Sequence, residues 1–406
     1  MNKLNVLVLF ACCGGFSCGF NMTNLYNIVS AVEFNKSAAE TYIKNHPTTK
    51  VYLTNIKTIN TDSFIDENSN IDIIIGGPPC QGFSVAGKRN EDDERNLLPY
   101  EYIRFVSAIK PKAFVLENVK GILSMNNGIT FKNIINEFKN LNYNVVFKVL
   151  NTNDFNVPQI RERVIVVGLR KDLNLSFEFP TGFEYKPTLF DAIGDIEITG
   201  TFEEINLYNH NNINLVDQDL YYRLGEGNLL CDVRHGTNHI HSWEIQLKGE
   251  CTERELLILN SIAENRRKKI YGPKDGNPLS ITVIEELTGL TNIINDLNTL
   301  VEKEYLSKIN DKYDIHDRKI NMGLRIFDRS KPINTITTQS GEHSTYAHYS
   351  QPRNLTIREL ARVQTFPDNF VFYGTIKEQE TQIGNAVPPL MAKEIAAQLY
   401  NCLNNF

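Results

Sequence analysis

Short runs of apolar and β-branched residues alternate with amphipathic stretches from the N-terminus to about residue 180. The runs that have the length and composition of buried strands are Val6–Phe10, Ile28–Glu33, Ile71–Ile75, Ala113–Glu117, Tyr143–Leu150 and Val164–Gly168. Between them, apolar residues at helical spacing predict helices over Lys36–Asn45, Tyr100–Lys110 and Ile129–Leu141. This alternation predicts an α/β fold with a doubly wound, mostly parallel sheet, in which ligands bind at the carboxyl ends of the strands.

The pattern changes between residues 186 and 350, where strand–helix alternation stops and the chain becomes rich in Asn. We therefore predict a first domain at 1–185, a second, smaller domain at 186–350 and a closing segment at 351–406. Within the second domain, three amphipathic helices are predicted over Thr252–Lys269, Ser280–Leu287 and Thr291–Lys303, and a two-stranded hairpin over Ser307–Ile315.

The order of these elements is compatible with a helix-turn-helix or winged-helix insert at 251–318. Its second helix would bury an apolar face made of Ile293, Ile294, Leu297, Leu300 and Val301. The residues then presented outward to base edges would be Thr291, Asn292, Asn295 and Asn298. A plain three-helix packing element has the same pattern, so the sequence leaves both interpretations open.

Composition narrows the class of protein. The chain has 406 residues, 41% of them hydrophobic, with a net charge of −6, which excludes disorder, collagen, coiled coil and a generally basic nucleic-acid coat. Its seven cysteines form no C-x-x-C pair, which disfavours a disulfide framework or a common zinc site and fits a reducing cytoplasm. The apolar run after Lys3 is too short for a leader and runs into glycines, so we interpret it as the first strand. No stretch approaches the roughly 18 apolar residues of a membrane helix.

A glycine-containing turn, Phe10-Ala11-Cys12-Cys13-Gly14-Gly15, follows the first predicted strand. Such a turn lets a ligand approach the backbone closely. Glu33 ends the next strand, where a carboxylate can accept both ribose hydroxyls, and the ring of Phe34 can lie against an adenine. No Lys-Ser/Thr pattern follows the glycines, which disfavours a nucleoside triphosphate. The sequence therefore predicts a nucleoside pocket, although a strand-capping acid would look the same at Glu33 alone.

Cys80 follows an apolar strand, a Gly-Gly pair and two prolines that hold the backbone extended, the second of them Pro79. This rigid presentation favours a nucleophile over a buried structural thiol. Two further strand ends supply partners. Glu117 ends an apolar strand, where burial favours a proton-holding carboxyl, and Arg161 and Arg163 have side chains on the same face of an entering strand. We expect the three to surround the thiol.

These motifs resemble the cytosine-5 DNA methyltransferase family. The resemblance covers most of residues 4–195 and 331–398. The segments that carry it are Pro79-Cys80-Gln81-Gly82-Phe83-Ser84, Glu117-Asn118-Val119, Gln159-x-Arg161-x-Arg163, Arg358-Glu359-Leu360-Ala361-Arg362-Val363-Gln364-Thr365-Phe366-Pro367 and Gln382-Ile383-Gly384-Asn385-Ala386-Val387-Pro388-Pro389. Five motifs in the family's order are highly specific together, and they imply a Rossmann-like S-adenosylmethionine methyltransferase sheet with a target-recognition domain between the Arg163 and Arg358 motifs.

By this resemblance Cys80 adds to C6 of cytosine, Glu117 holds the N3 edge, Arg163 contacts O2 and Arg161 supports the site, next to Pro79. The base that removes the C5 proton stays open, and water is one candidate. The target base must leave the duplex to be reached from both faces and the edge. The residues expected to contact the DNA are Gln81, Ser84 and Arg95.

S-adenosylmethionine is the implied cofactor. The residues expected around it are Phe10, Ala11, Gly14, Gly15, Glu33, Phe34, Asn55, Ile56, Asn385 and Val387. The position of Asn385 implies that the last helix returns to the first domain. Three departures from the family's pattern are Val8 in place of an acid, Cys12 in place of the first turn glycine, and Asn55-Ile56 in place of Asp-Ile; the Asn55 carbonyl can still accept a hydrogen bond from the adenine amino group.

The expected activity is methylation of duplex DNA at one short sequence, as the modification half of a restriction-modification pair or as an orphan. We expect a monomer in the bacterial cytoplasm, associated with the nucleoid, with any cognate restriction endonuclease acting independently. A tRNA cytosine-5 methyltransferase shares the catalytic motifs, but the long recognition segment disfavours it, and an intact set of catalytic residues disfavours a silent DNA-binding regulator. His235, His239 and His241 cluster in the second domain at a spacing that would allow a metal site, but we expect phosphate or local backbone contacts instead and predict no metal.

Overall fold

The computed structural model describes residues 3–68, 70–79, 97–196, 216–233, 238–274, 276–316, 324–336 and 346–404. The strands are β1 (Leu4–Leu9), β2 (Tyr26–Glu33), β3 (Lys50–Leu53), β4 (Ile73–Gly76), β5 (Ala113–Val119), β6 (Tyr143–Asn151), β7 (Gln159–Ile160), β8 (Glu162–Arg170), β9 (Leu229–Leu230), β10 (His239–Ile240), β11 (Leu279–Ser280), β12 (Leu306–Ile309), β13 (Lys312–Ile315), β14 (Arg325–Ile326), β15 (Ile333–Asn334) and β16 (Tyr346–Ala347).

The helices alternate with the strands in the first half of the chain and cluster in the second half. They are α1 (Gly15–Met22), α2 (Lys36–Asn45), α3 (Thr61–Glu67), α4 (Leu98–Ile109), α5 (Ile129–Asn140), α6 (Leu189–Ile193), α7 (Gln218–Leu224), α8 (Glu253–Asn265), α9 (Ile281–Thr288), α10 (Ile294–Glu302), α11 (Ile357–Val363), α12 (Ile376–Asn385) and α13 (Pro389–Asn404). In the described part of the chain, no helix is both long and apolar enough to cross a membrane.

A seven-stranded sheet with the order β3-β2-β1-β4-β5-β8-β6 forms the centre of the first unit. Its neighbours pair in parallel except at β8, which is antiparallel to both β5 and β6. The strand order reverses between β1 and β4, which is the position where open α/β sheets bind ligands at the strands' carboxyl ends. The predicted α/β class with a doubly wound, mostly parallel sheet is confirmed.

Both faces of the central strands β1, β4, β5 and β8 are buried, which explains the continuous apolar runs in the sequence. Alternate residues of one strand enter different cores: Ile73 and Ile75 pack on the face covered by α1 and α13, and Ile74 packs on the face covered by α4 and α5. All three isoleucines are fully buried. The sheet is thereby held rigidly from both sides, and so are the loops that leave its strand ends.

The chain divides into two compact units. The first comprises Met1–Glu197, Ser330–Thr338 and Ile357–Phe406, and the second comprises Ile198–Arg329 and Gln339–Thr356. Residues 330–338 belong to the first unit because β15 pairs in parallel with β7, and because the Leu189 N–H donates to the Lys331 carbonyl at 2.9 Å. The C-terminal helix α13 packs in the core of the first unit beside α1. The functional roles assigned to these segments from the sequence stay predictions.

The second unit contains a small sheet with the order β10-β9-β14-β16 and a separate module from α8 to β13. Helix α8 ends at Asn265, four residues before its predicted end, because Arg266 turns inward to bond the Asp314 carboxylate at 2.6 Å and 2.9 Å. The predicted apolar face of α10 was wrong at Ile294, which is 41% exposed, whereas Leu297 and Leu300 are fully buried as expected.

Candidate active site

The turn after β1 is a strained backbone segment. Phe10 has φ 55°, Cys12 has φ 49° and Gly14 has φ 96°, all in the left-handed region. Such strain in non-glycine residues persists only where the surroundings impose it, and it is concentrated at functional sites. The turn is held by hydrogen bonds from the Ala11 N–H to the Val32 carbonyl at 3.1 Å and from the Gly14 N–H to the Ala11 carbonyl at 3.0 Å.

Glu33 fixes this turn from the end of β2. Its Oε2 accepts the Cys12 N–H at 2.7 Å, and its Oε1 accepts the Asn35 N–H at 2.7 Å. Burial raises the pKa of Glu33, and the backbone N–H groups of Asn35 and Cys12 oppose that rise. Each carboxylate oxygen keeps a second lone pair, so the group can still accept ribose hydroxyls.

The residues expected near an adenine differ in exposure. Phe34, directly after Glu33, is 74% exposed, so its ring is open to a ligand. Asn55 is exposed, and its Oδ1 accepts the Lys57 N–H at 3.0 Å at the start of a short 3₁₀ turn, Ile56–Thr58. Ile56 is buried in the core beneath. Asn55 therefore has one carbonyl lone pair left to accept a further hydrogen bond, and Ile56 anchors the turn in the core.

The turn between α12 and α13 lies directly on the start of α1. A Cβ atom at Gly15 would stand 2.5 Å from the Val387 carbonyl oxygen, so this approach requires glycine. The Cys13 thiol donates to the Gln382 carbonyl at 3.5 Å, and burial raises the pKa of that thiol well above its usual range. Val387 is buried and Asn385 exposed. The structure thus brings the C-terminal segment to the glycine turn, where the resemblance implied that it would be.

The loop after β4 carries the cysteine motif. Asn118 Nδ2 donates to the Pro78 carbonyl at 3.0 Å, and a Cβ atom at Gly77 would stand 2.8 Å from Glu117 Oε2. Because Gly77 has no Cβ atom, the Glu117 carboxylate can lie against the loop, and the hydrogen bond from Asn118 holds Pro78 in place. Pro79 is half-buried and ends the described segment. The residues predicted from sequence that lie outside the described residues are Cys80, Gln81, Ser84 and Arg95.

Glu117 and Arg163 form a buried ion pair on adjacent strands. Arg163 Nε lies 2.9 Å from Glu117 Oε1, and the side chains are 13% and 11% exposed. The register of β5 against β8 explains the pairing, because Val119 stands opposite Arg163 two residues beyond Glu117. Burial lowers the pKa of Arg163, and the Glu117 carboxylate opposes that effect. The pair presents an acid and a guanidinium together, which is a donor and acceptor set for the edge of a heterocyclic base.

Arg161 is fully buried without a carboxylate partner among the described residues. Its Nη1 and Nη2 donate to the Ile336 and Ala386 carbonyls at 3.3 Å each, and its Nε has no hydrogen-bond partner in the described part of the chain. Burial, with a smaller contribution from Arg163, holds the pKa of Arg161 well below its usual range. Its contacts show a joining function: Arg161 ties the start of β8 to the turn that follows α12.

Two glutamines complete this connection, and sequence reasoning gave neither a role of its own. Ile336 N–H donates to Gln159 Oε1 at 3.1 Å, and Gln159 Nε2 donates to Gln364 Oε1. Gln364 Nε2 in turn donates to the Ile383 and Ala386 carbonyls, both at 2.9 Å. Both amides are fully buried. Their signal was present, since an uncharged amide among apolar residues in each motif indicates a buried hydrogen-bond network.

The predicted histidine cluster lies in the second unit. His241 Nδ1 is 2.8 Å from the Cys231 carbonyl oxygen, and its ring stacks on Trp243 at 4.3 Å between centroids. His239 lies on β10, and His235 is outside the described residues. No group of three or more His, Cys, Asp or Glu in the described ranges is arranged to hold a metal ion. His241 is therefore occupied by backbone and ring contacts.

Comparison with known proteins bears on this arrangement. The sequence profile of C-5 cytosine-specific DNA methylases matches residues 4–401. The Type II methyltransferase M.HgiBI of Herpetosiphon aurantiacus is 35% identical over 425 residues, covering 96% of this chain and 95% of that protein. The Type II methyltransferase M1.HphI of Haemophilus parahaemolyticus is 32% identical, covering 97% of this chain and 86% of that protein.

Among solved structures, a prophage-encoded DNA modification methyltransferase candidate (E. coli) matches with a TM-score of 0.61 at 24% identity, covering 99% of this chain and 100% of that chain. This likeness supports the fold. The profile match and the relatives at 35% and 32% identity extend over nearly the full chain and confirm the resemblance carried by the five motifs. The chain therefore belongs to the C-5 cytosine-specific DNA methylase family and is a DNA cytosine-5 methyltransferase.

Proposed function

We propose that this enzyme transfers a methyl group from S-adenosylmethionine to C5 of a cytosine in duplex DNA through a covalent bond between Cys80 and C6. The observation that supports this most strongly is the buried Glu117–Arg163 pair beside the loop that leads to Pro79. In this proposal, a base whose edge meets the pair presents its ring to Cys80, the residue that follows Pro79 in the chain.

The chemistry requires a nucleophile because C5 of cytosine reacts too weakly on its own. The Cys80 thiolate adds to C6, and C5 of the resulting enamine takes the donor's methyl group as the methyl–sulfur bond breaks and its electron pair stays on the sulfur, which leaves as a neutral thioether. Glu117, holding N3 through a shared proton, and Arg163, donating to O2, stabilise the charge that develops on the ring. A base then removes the C5 proton, the electron pair re-forms the C5–C6 double bond, and the thiolate leaves. The identity of that base stays open, and water can serve.

The residues around the β1 turn fit the methyl donor. S-adenosylmethionine, when bound, supplies an electrophilic methyl group on a sulfonium. Glu33 would accept hydrogen bonds from the ribose hydroxyls, and the exposed ring of Phe34 would lie against the adenine. The Asn55 carbonyl would accept a hydrogen bond from the adenine amino group. The backbone of Phe10, Ala11, Gly14 and Gly15 and the turn at Asn385 and Val387 would enclose the rest.

The target base must leave the base stack of the duplex. The Glu117–Arg163 pair contacts the edge of its ring, while the nucleophile approaches C6 and the methyl donor approaches C5. Gln81, Ser84 and Arg95 are proposed to contact the opened duplex. Both curated relatives described above are named Type II methyltransferases, which supports modification of a short site within a Type II restriction-modification system. We propose a monomer that acts on chromosomal DNA in the cytoplasm, with any cognate endonuclease acting independently.

The test replaces the nucleophile. We expect Cys80→Ala to abolish transfer of labelled methyl groups from S-adenosylmethionine to unmethylated duplex DNA, and to abolish the covalent complex with a duplex containing 5-fluorocytosine. The matched control is Cys251→Ala, a half-buried thiol of the second unit, which should behave as wild type. Full methylation by Cys80→Ala would disprove the proposal. Preferential methylation of tRNA over duplex DNA by the wild type would show that the substrate is tRNA.

A further inference from the structure

The segment from α8 to β13 is a module with its own core. Its elements follow the order α8, β11, α9, α10, β12, β13, and its antiparallel sheet has the order β11-β13-β12. Three helices with a three-stranded sheet and a terminal hairpin in this order form a winged helix-turn-helix. Its core includes Ile258 of α8, Ile284 of α9 and Leu297 of α10, all fully buried. The fold distinguishes this module from the plain three-helix packing element that the sequence also allowed.

One face of α10 is left uncovered in the described structure of this unit. The exposed residues on the first turns of the helix are Ile294, Asn295 and Asn298, and Thr291 and Asn292 are exposed just before it, where Asn292 has φ 57°. They are uncharged, and no hydrogen bond joins the side-chain amide of Asn295 or Asn298 to another described residue. The nearby acid Asp296 is half-buried and paired with Arg254 at 3.0 Å. Asn amides with an apolar neighbour suit adenine edges and thymine methyl groups, the groups that the major groove displays.

The β12–β13 hairpin adds cations next to this helix. Lys308 and Lys312 are exposed near its tip, beside exposed Ile309 and a turn in which Asn310 has φ 55°. Yet residues 252–316 contain 9 Lys and Arg against 11 Asp and Glu, so the module has no general attraction for phosphates. A contact tethered to DNA that the rest of the enzyme already holds needs little affinity of its own in order to discriminate between sequences.

We propose that the exposed face of α10 reads base pairs in the major groove of the duplex substrate while the β12–β13 hairpin contacts its backbone. The inference rests on the DNA substrate of the proposed function but not on the Cys80 chemistry. A protein partner on the same face is the competing possibility, and the acidic balance of the module alone would allow it. The uncharged Asn face on the second helix of a helix-turn-helix favours DNA.

The first experiment measures sequence preference with the full-length enzyme and a library of duplexes randomised over 20 positions. Methylated molecules are sequenced to give the preferred bases around the modified cytosine. The double variant Asn295→Ala, Asn298→Ala should lose about 10-fold of preference at one or two base pairs while keeping the others. The matched control, Asn133→Ala with Asn136→Ala, changes two exposed asparagines at the same spacing on α5 of the first unit and should change no preference.

Loss of folding would give a different result. Ala is the better helix former at exposed positions, so the substitutions should not unfold the helix. A packing defect would lower the rate of methylation on all sequences alike. An unchanged preference, or a uniform loss of rate, would overturn the proposal and favour a protein partner. If wild type methylates no duplex, the proposed function fails instead, and that outcome is distinct from either.

The second experiment measures binding rather than methylation. Fluorescence anisotropy follows wild type on a duplex that carries its preferred sequence, as the salt concentration is varied. Lys308→Ala with Lys312→Ala should reduce the slope of log K against log salt by up to about 2, because each lysine that neutralises a phosphate adds close to one unit to that slope. Lys132→Ala, an exposed lysine of α5, is the control. An unchanged slope would overturn the role of the hairpin.

Discussion

Deep burial is the feature that makes individual polar residues of the first unit informative. Glu117, Arg161 and Arg163 lie within the protein, where each charge must be compensated by specific partners. Glu117 and Arg163 compensate each other, and Arg161 relies on two carbonyls. Buried charges of this kind cost stability, and they are concentrated at functional sites.

Glu117→Gln should reduce kcat for methyl transfer by about 100-fold, because the amide cannot share a proton with the base as it gains charge. Single-turnover methylation of duplex DNA measures this. The control is Glu162→Gln, which changes the exposed carboxylate next to Arg163 in the chain. Glu162 pairs with Lys120 at 2.9 Å, and this variant should leave kcat unchanged. Equal kcat values for the two variants would show that Glu117 does not act on the reacting base.

His46 makes the stability of the first unit depend on pH. It is buried beside Tyr42, with 4.5 Å between ring centroids, and burial lowers the pKa of His46 from 6.5 to about 4. Below pH 6.5 the unfolded chain takes up a proton that the folded chain does not take up until about pH 4. Stability is therefore complete above this window and is lost as the pH falls through it, by up to about 3 kcal/mol.

Urea unfolding of wild type and His46→Gln at several pH values between 4 and 7 measures this contribution. The variant will be less stable at neutral pH because it loses ring packing, but its free energy of unfolding should fall less steeply with acidification. Identical slopes for the two proteins would mean that His46 is not the group responsible.

At the scale of elements, strand ends and caps position the site more than the helices do. Asn35 begins α2, because its side-chain oxygen accepts a hydrogen bond from the Ala38 N–H at 3.0 Å. This cap holds the Glu33-Phe34 segment at the carboxyl end of β2. The predicted strands and helices of the first 180 residues were recovered to within a few residues, because the central strands are buried on both faces and their apolar runs are continuous, whereas the half-exposed edge strand β3 was not predicted. In the second unit, strands of two residues lack any periodic signal, and the sequence could not show them.

The helix that ended early gives an element-scale prediction. Arg266 and Asp314, 8% and 10% exposed, join the end of α8 to β13 by a bidentate ion pair. Arg266→Ala leaves the Asp314 carboxylate buried and unpaired, which should destabilise the module by about 3–5 kcal/mol. Hydrogen exchange measured by mass spectrometry should show faster exchange in α8, α9 and α10 than in wild type.

Arg254→Ala is the matched control, because the Arg254–Asp296 pair joins two elements of the same module at its surface. We expect it to change stability by less than about 1 kcal/mol. If both variants exchange alike, the buried pair does not hold the module together.

The whole molecule has a net charge of −6, although the family's substrate, DNA, is itself anionic. Binding of DNA must therefore depend on where the positive charges lie on the surface and not on the net charge. Sequence motifs far apart in the chain converge in the first unit: Gln159, Arg161, Gln364 and Ala386 share one buried network. This network explains why the chain leaves the first unit after α6 and returns to it at β15 and again at α11. The buried network thus joins residues from both ends of the sequence.

The sequence alone determined the class of enzyme and the class of sheet, because five ordered motifs and continuous apolar runs are local signals. Tertiary structure alone decided that Arg163 pairs with Glu117, that Gly77 leaves room for that carboxylate, and that Arg161 reaches the turn after α12. Strand register and close approach set those relations, and neither is encoded in any one segment. In the second unit, only the structure shows that β11 pairs with β13, which is the pairing on which the proposed winged helix-turn-helix rests.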